Sequence, residues 1–148
     1  MAMLKMNWRL WRRAILIICI GMAQVGWPAQ RHAAASDINC DVQSGVCTRQ
    51  LDGRDITLEV LPRPVKAMED LTFIVHIDGQ APARAPYIDL NMPAMDMGKN
   101  RVPLTLTAQG AYQGKGVIVR CRSGHRTWRA RVTIPGAGVV DFIFDVIY

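Results

Sequence analysis

Hydrophobic and polar residues alternate along most of the chain after residue 54, and turn residues interrupt the alternation about every ten residues. Alternation with a period of two is typical of strands that bury one face. In residues 71–77, for example, every second residue is large and apolar: Leu71, Phe73, Val75 and Ile77. The predicted strands cover residues 55–61, 71–77, 86–91, 102–107, 116–121, 127–134 and 139–147.

The spacing of these segments predicts an all-β fold, an immunoglobulin-like antiparallel β-sandwich of about seven strands. No segment after residue 36 has the periodicity of an amphipathic helix. The sandwich is expected to occupy residues 55–148. Residues 36–54 are predicted to form a disulfide-tied lead-in before the first long strand.

The first 35 residues are predicted to direct export. Basic residues between Lys5 and Arg13 precede a short apolar run within residues 14–27, and Ala33 and Ala35 suit a cleavage site after Ala35. The segment is therefore a signal peptide or, if it is retained, an inner-membrane anchor formed by residues 14–27. In both cases the basic residues stay inside, and the rest of the chain is periplasmic or exported. Membrane contact is expected only through an uncleaved segment.

The net charge of +6 comes mainly from the N-terminal segment. Five of the 18 Lys and Arg residues lie in residues 1–35, which leaves 13 basic against 12 acidic side chains, or +1. The overall charge therefore does not predict nucleic-acid binding. An arginine cluster remains, and it forms either a solvent face paired with acidic neighbours or a binding surface for an acidic partner. Its members are Arg120, Arg122, Arg126, Arg129 and Arg131.

Three of the four cysteines follow the export segment: Cys40, Cys47 and Cys121. Disulfides form in oxidising compartments, and the turn-forming stretch between Cys40 and Cys47 makes this pair the favoured bridge. Because three is odd, one thiol is left over or pairs between chains. Cys121 is predicted to be that thiol, buried in a strand, although its pairing with Cys40 or Cys47, its use as a ligand and thiol chemistry stay open.

The most unusual segment is residues 91–100, where Met92, Met95 and Met97 fall within six positions of a loop that contains Pro and Gly. Thioethers are soft ligands that favour Cu(I). The loop therefore predicts a Cu(I) site formed by the three methionines and completed by His125, which lies in the turn after Cys121. Alternatively, the methionines fill gaps at one end of the sandwich, because Met adapts to irregular spaces.

Four blocks in this order resemble the YtkA-like and FixH-like families of small exported bacterial envelope proteins. The blocks are Cys40-Asp-Val with Gly45-Val-Cys47, Pro62-Arg-Pro64, Met95-Asp-Met-Gly-Lys-Asn-Arg101, and Cys121 with Gly124-His-Arg-Thr-Trp128. The resemblance covers residues 40 to 134 and implies an immunoglobulin-like sandwich with a Met-x-Met-Gly loop, to which Met95 and Met97 correspond. It also implies a link to copper handling and to the assembly or support of respiratory oxidases. Met92 and His125 are added on chemical grounds alone.

No phosphate-binding loop, nucleophile elbow, zinc-protease motif or Cys-x-x-Cys pair is found in the sequence, so a non-catalytic protein is predicted. The predicted function is an exported accessory protein that binds Cu(I) and supports metal handling or oxidase assembly. Its expected partner is an envelope protein such as an oxidase or its assembly factors, and not nucleic acid. The alternative is a structural or protein-interaction module of the envelope that binds no metal.

Overall fold

The computed structural model describes residues 38–93 and 95–148, so the predicted signal peptide or membrane anchor (1–35) lies outside the described residues. Nine strands follow one another in this part of the chain: β1 (Cys47–Leu51), β2 (Arg54–Leu61), β3 (Asp70–Ile77), β4 (Tyr87–Asn91), β5 (Arg101–Pro103), β6 (Thr105–Leu106), β7 (Tyr112–Val117), β8 (Thr127–Ile134) and β9 (Gly138–Asp145). No helix in the described ranges is long and apolar enough to cross a membrane.

The strands form two sheets in which every neighbouring pair is antiparallel. One sheet has five strands in the order β1-β2-β3-β7-β6, and the other has four strands in the order β5-β4-β8-β9. The prediction of an all-β fold built from antiparallel sheets is therefore confirmed.

One hydrophobic core draws its side chains from both sheets. The alternation seen in the sequence corresponds to burial, because β8 buries Trp128, Ala130, Val132 and Ile134 and half-exposes the residues between them. The neighbouring strand β9 adds Phe142 and Phe144, and β3 of the other sheet adds Leu71, Phe73 and Val75. Burial of these large side chains is the main force that holds the two sheets together.

The strands differ from the predicted set in three places. Residues 47–51, assigned to the lead-in, form β1 and pair with β2. The single strand expected at residues 102–107 is divided at Leu104 into β5, which pairs with β4, and β6, which pairs with β7. The strand expected at residues 116–121 lies earlier, at Tyr112–Val117. Two glycines in β7 explain the last difference, since they weaken the strand pattern in the sequence but permit a close approach of β5.

The N-terminal lead-in is fastened to the sandwich by a disulfide and by hydrogen bonds of Asn39. The Cys40–Cys47 disulfide favoured by the sequence is present. The backbone N–H of Asn39 donates to the Ile143 carbonyl at 3.0 Å, and the Asn39 side chain accepts from the N–H of Ile143 at 3.0 Å. The lead-in therefore satisfies backbone groups along the outer edge of β9, which limits pairing with other chains at that edge.

Candidate functional site

Antiparallel pairing brings four segments to one end of the sandwich, which is called the loop end below. They are residues 62–69, 92–100, 118–126 and 146–148, which adjoin the paired positions Leu61–Thr72, Asn91–Arg129, Asp70–Val117 and Thr127–Asp145. Backbone hydrogen bonds connect the segments, from Ala67 to Ile147 at 2.9 Å and from Met68 to Ile118 at 2.8 Å. All four candidate metal ligands and the free cysteine lie at this end.

The methionine loop, residues 92–100, is held at both of its ends. At its start, the Met95 N–H donates to the Met92 carbonyl at 3.3 Å and closes a turn. At its end, the Leu90 N–H donates to the Asn100 carbonyl at 2.8 Å, and the Asn100 side chain donates to the Val117 carbonyl at 2.9 Å. The loop is therefore tied both to its own sheet and to Val117 at the end of β7 in the other sheet.

A second turn shapes the middle of the methionine loop. The Asp96 carboxylate accepts a hydrogen bond from the Gly98 N–H at 2.8 Å, and Gly98 has a φ of 74°, a conformation that favours glycine. This turn lies between Met95 and Lys99, on the part of the loop that carries the Met-x-Met-Gly pattern. The local sequence Asp-Met-Gly thus fixes the backbone next to two of the three thioethers.

The three methionines of the loop differ in burial. Met92 belongs to the core and is 5% exposed, Met97 packs half-buried against the core, and Met95 is 42% exposed. Met95 is therefore exposed and Met97 partly exposed, in a loop whose backbone is held at both ends. Met92 fills space under the loop, as the packing interpretation expects of a methionine.

His125 lies on the neighbouring segment 118–126, at the same end of the sandwich as the methionine loop, and its side chain is exposed. Its backbone carbonyl accepts a hydrogen bond from the Tyr148 hydroxyl, and the next residue, Arg126, accepts from the Val146 N–H at 3.1 Å. The C-terminal residues therefore fix the backbone that carries His125. The histidine and the methionines therefore belong to separate segments of the loop end.

Cys121 is a free, buried thiol at the loop end. Its Sγ lies 2.9 Å from the Ser123 Oγ, and this hydrogen bond lowers the pKa of the Cys121 thiol. Its backbone N–H donates to the Tyr148 hydroxyl oxygen at 3.1 Å. Cys121 is thus not bridged to Cys40 or Cys47, which bond to each other.

Sequence analysis missed one methionine at the loop end, Met68 in the connection between β2 and β3. Its side chain is 65% exposed and its φ of 65° lies in the left-handed region, which is uncommon for a residue other than glycine. It was missed because it lies far from the methionine loop in sequence. The alternation of strand direction, counted from the first predicted strand, would have placed it at the same end.

The clustered arginines divide into two groups with different surroundings. Arg131 makes two hydrogen bonds of 2.8 Å to the Asp141 carboxylate, and Arg129 binds the Asn91 side-chain oxygen at 2.8 and 3.0 Å. These two arginines thus have the polar partners that the solvent-face interpretation requires. The other three members of the cluster, Arg120, Arg122 and Arg126, are exposed in segment 118–126.

The Arg131–Asp141 pair is expected to make stability depend on pH in the acid range. The hydrogen bond from Arg131 lowers the pKa of Asp141 in the folded protein, whereas an unfolded Asp titrates near ~3.9. A group with a lowered folded pKa contributes stability above its unfolded pKa and loses it as the pH falls through the folded pKa. We expect Asp141→Asn to flatten the loss of stability between about pH 5 and about pH 2, measured by urea unfolding. Asp78→Asn, at an exposed turn, is the control, and an equal flattening there would contradict the assignment.

Comparison of the chain with protein-family models, curated proteins and solved structures found no match. Within residues 38–93 and 95–148, no group of three or more His, Cys, Asp and Glu side chains is placed to hold a metal ion.

Proposed function

We propose that this protein is an exported, non-catalytic accessory protein that binds Cu(I) through the thioethers of Met95 and Met97. The observation that carries the proposal is a short loop with three methionines, held by hydrogen bonds at both ends, in which Met95 is exposed and Met97 is half-buried. Methionine sulfur is a soft donor suited to Cu(I), and it is not consumed by disulfide formation in an oxidising compartment. The resemblance to YtkA-like proteins supports the same assignment.

In this proposal Met95 and Met97 supply the first two donors. Met92 and His125 are the candidates for a third donor, and they differ in the side from which they would reach the ion. The Met92 thioether belongs to the core and would have to reach the ion from below the loop, whereas the exposed His125 ring would reach it from segment 118–126. Bound Cu(I) would serve as a cargo that the protein holds for delivery, because thioethers bind it without changing its oxidation state.

The proposed setting is the periplasm, with an immunoglobulin-like sandwich that presents its loop end to an envelope protein such as a respiratory oxidase or one of its assembly factors. The disulfide between Cys40 and Cys47 supports an oxidising compartment. The resemblance to YtkA-like and FixH-like proteins supports the choice of partner class. No catalytic role and no nucleic-acid partner are part of the proposal.

Titration with Cu(I) under reducing conditions tests the proposal on the exported protein. We expect the wild type to bind one equivalent of Cu(I) and the Met95→Leu/Met97→Leu variant to bind it at least ~100-fold more weakly. Removing a residue that only orients a metal ligand lowers the affinity by up to about 100-fold, so removing two ligands should cost at least that much. Leucine keeps the apolar volume and removes the sulfur. Met68→Leu is the control, since it removes an exposed thioether outside the methionine loop. Equal affinity of the wild type and the double variant would contradict the proposal.

The second candidate function is a structural or protein-interaction module without metal. The burial of Met92 and the packing of Met97 against the core favour it, because both are what a loop that closes the end of a sandwich requires. In that case neither the wild type nor the double variant binds Cu(I). The double variant would instead lose stability or partner binding.

A further inference from the structure

Segment 118–126 carries three exposed arginines that form no ion pair with a described carboxylate. Arg120, Arg122 and Arg126 are exposed, and no acidic residue occurs between positions 118 and 126. Among residues 38–93 and 95–148, no carboxylate lies within ion-pair distance of any of these three arginines. This differs from the outer face of the four-stranded sheet, where Arg101 and Arg131 bind Asp89 and Asp141 at 2.8 Å.

The backbone of this segment is fixed although it forms no strand. The Ile118 and Arg126 carbonyls accept hydrogen bonds from Met68 at 2.8 Å and from Val146 at 3.1 Å. Between them, the Gly124 N–H donates to the Cys121 carbonyl at 3.1 Å and closes a turn. The arginines are therefore carried by a backbone that is already ordered before a partner binds. This reduces the conformational entropy that the segment loses on association.

Exposed apolar side chains lie on the same and the adjoining segments. Val119 is 37% exposed, Met68 is 65% exposed and Ile147 is 41% exposed. Their segments lie side by side, because Met68 bonds to Ile118 and Ala67 bonds to Ile147 through the backbone. Together the three arginines and these three residues are called the arginine surface below. Protein interfaces are enriched in Arg and Met, and large exposed apolar side chains grouped with charges indicate a contact site.

We propose that the arginine surface docks a protein partner that presents acidic side chains around an apolar contact. The charge requires an anionic partner. A protein is favoured over a membrane because proteins that lie on a membrane surface usually place exposed aromatic side chains in the interface. The one Phe, Trp or Tyr residue described in the four loop-end segments, Tyr148, is half-buried. Because Val117, next to this segment, is bonded to Asn100 of the methionine loop, the partner would lie beside that loop.

Binding of a short synthetic peptide with alternating Glu and Leu to the metal-free exported protein tests the surface, with fluorescence anisotropy as the readout. A peptide with Gln in place of Glu measures the contribution of charge. We expect the variant Arg120→Glu/Arg122→Glu/Arg126→Glu to bind the acidic peptide at least about tenfold more weakly, because reversal replaces attraction with repulsion. Because the protein is metal-free, the result does not depend on whether the methionine loop binds copper.

The matched control is Arg49→Glu/Arg84→Glu/Lys115→Glu, which changes the net charge equally at exposed positions outside the arginine surface. It is expected to keep the affinity of the wild type within about threefold. An equal loss in both variants would reduce the effect to net charge and overturn the proposal. Equal binding of the Gln peptide and the Glu peptide would also overturn it.

A membrane surface is tested separately with vesicles of phosphatidylglycerol and phosphatidylcholine. If the wild type binds these vesicles but not the peptide, and the first variant binds neither, the surface is assigned to a membrane instead. Arg122→Glu alone replaces the triple variant if the latter does not fold.

Discussion

Replacing Trp128 with alanine is expected to lower the free energy of unfolding by about 3–5 kcal/mol, the usual cost of deleting a fully buried aromatic side chain. Trp128 is the largest of the fully buried side chains and lies opposite Phe144 in the pairing of β8 with β9. Its removal would leave a cavity in the core directly below the loop end. Urea unfolding at neutral pH measures the loss, and a cost under about 1 kcal/mol would show that the site is not packed as described.

Two further variants separate packing from hydrogen bonding at Trp128. The indole N–H donates to the Tyr148 hydroxyl oxygen at 3.5 Å, and the same hydroxyl oxygen accepts from the backbone of Cys121 at 3.1 Å. Trp128→Phe keeps much of the ring volume and loses the indole donor, so it should cost less than the alanine variant. Tyr148→Phe leaves the core filled but removes the hydroxyl group that fixes segment 118–126, at a net cost of about 0.5–1.5 kcal/mol per hydrogen bond. If Trp128→Phe cost as much as Trp128→Ala, hydrogen bonding rather than volume would dominate.

The long strands could be predicted from the sequence because every second residue in them is buried. The alternation of buried and exposed positions therefore appears in the sequence as an alternation of apolar and polar residues. The segments predicted at residues 55–61, 71–77, 127–134 and 139–147 correspond closely to β2, β3, β8 and β9. Each of these strands has one face in the core and one face toward solvent, as in β8. Alternation is then visible without knowledge of the partner strand.

Tertiary contacts determined the parts that the sequence pattern did not predict. The change of sheet at Leu104, between β5 and β6, depends on two different partner strands that no local period describes. β1 pairs with β2 although most of its side chains are exposed, so it lacks the apolar alternation that identifies a strand. β7 contains Gly114 and Gly116, which are usually depleted in strands.

The candidate site was predictable where its residues are close together in the sequence, and not where it depends on tertiary structure. Met92, Met95 and Met97 could be found because they are close together in the sequence, and Pro and Gly marked their segment as a loop. Their unequal burial could not be predicted, because it depends on which side chains the turns direct toward the core. Met68 reaches the same end of the sandwich only through the order of the strands. The Cys40–Cys47 bridge was predictable because the two residues are near neighbours in the chain.

Adding a methyl group at Gly114 is expected to destabilise the protein by about 3 kcal/mol or more, the upper end of the cost of overpacking. A Cβ at this position would lie 2.3 Å from the Pro103 carbonyl oxygen, 2.8 Å from a Val102 methyl group and 2.9 Å from a Leu104 methyl group. The oxygen belongs to the backbone of β5 and cannot rotate away. The strand would have to move out of its pairing with β4. Urea unfolding of Gly114→Ala measures this cost, with Gly45→Ala as the control, because nothing lies within 4 Å of a Cβ added there.

Gly116→Ala provides a sharper comparison, because its closest clash is with a side chain. A Cβ at Gly116 would lie 2.5 Å from a Val102 methyl group and 3.4 Å from the Phe73 ring, with no backbone atom among its nearest neighbours. Trimming Val102 to alanine should therefore restore part of the stability lost in Gly116→Ala, which a double-mutant cycle measures as a favourable coupling. The same Val102→Ala change should rescue Gly114→Ala much less, since the contact with the Pro103 oxygen persists. Equal rescue of both variants would mean that side-chain crowding by Val102, and not the close approach of the β5 backbone, is why glycine is required at both positions of β7.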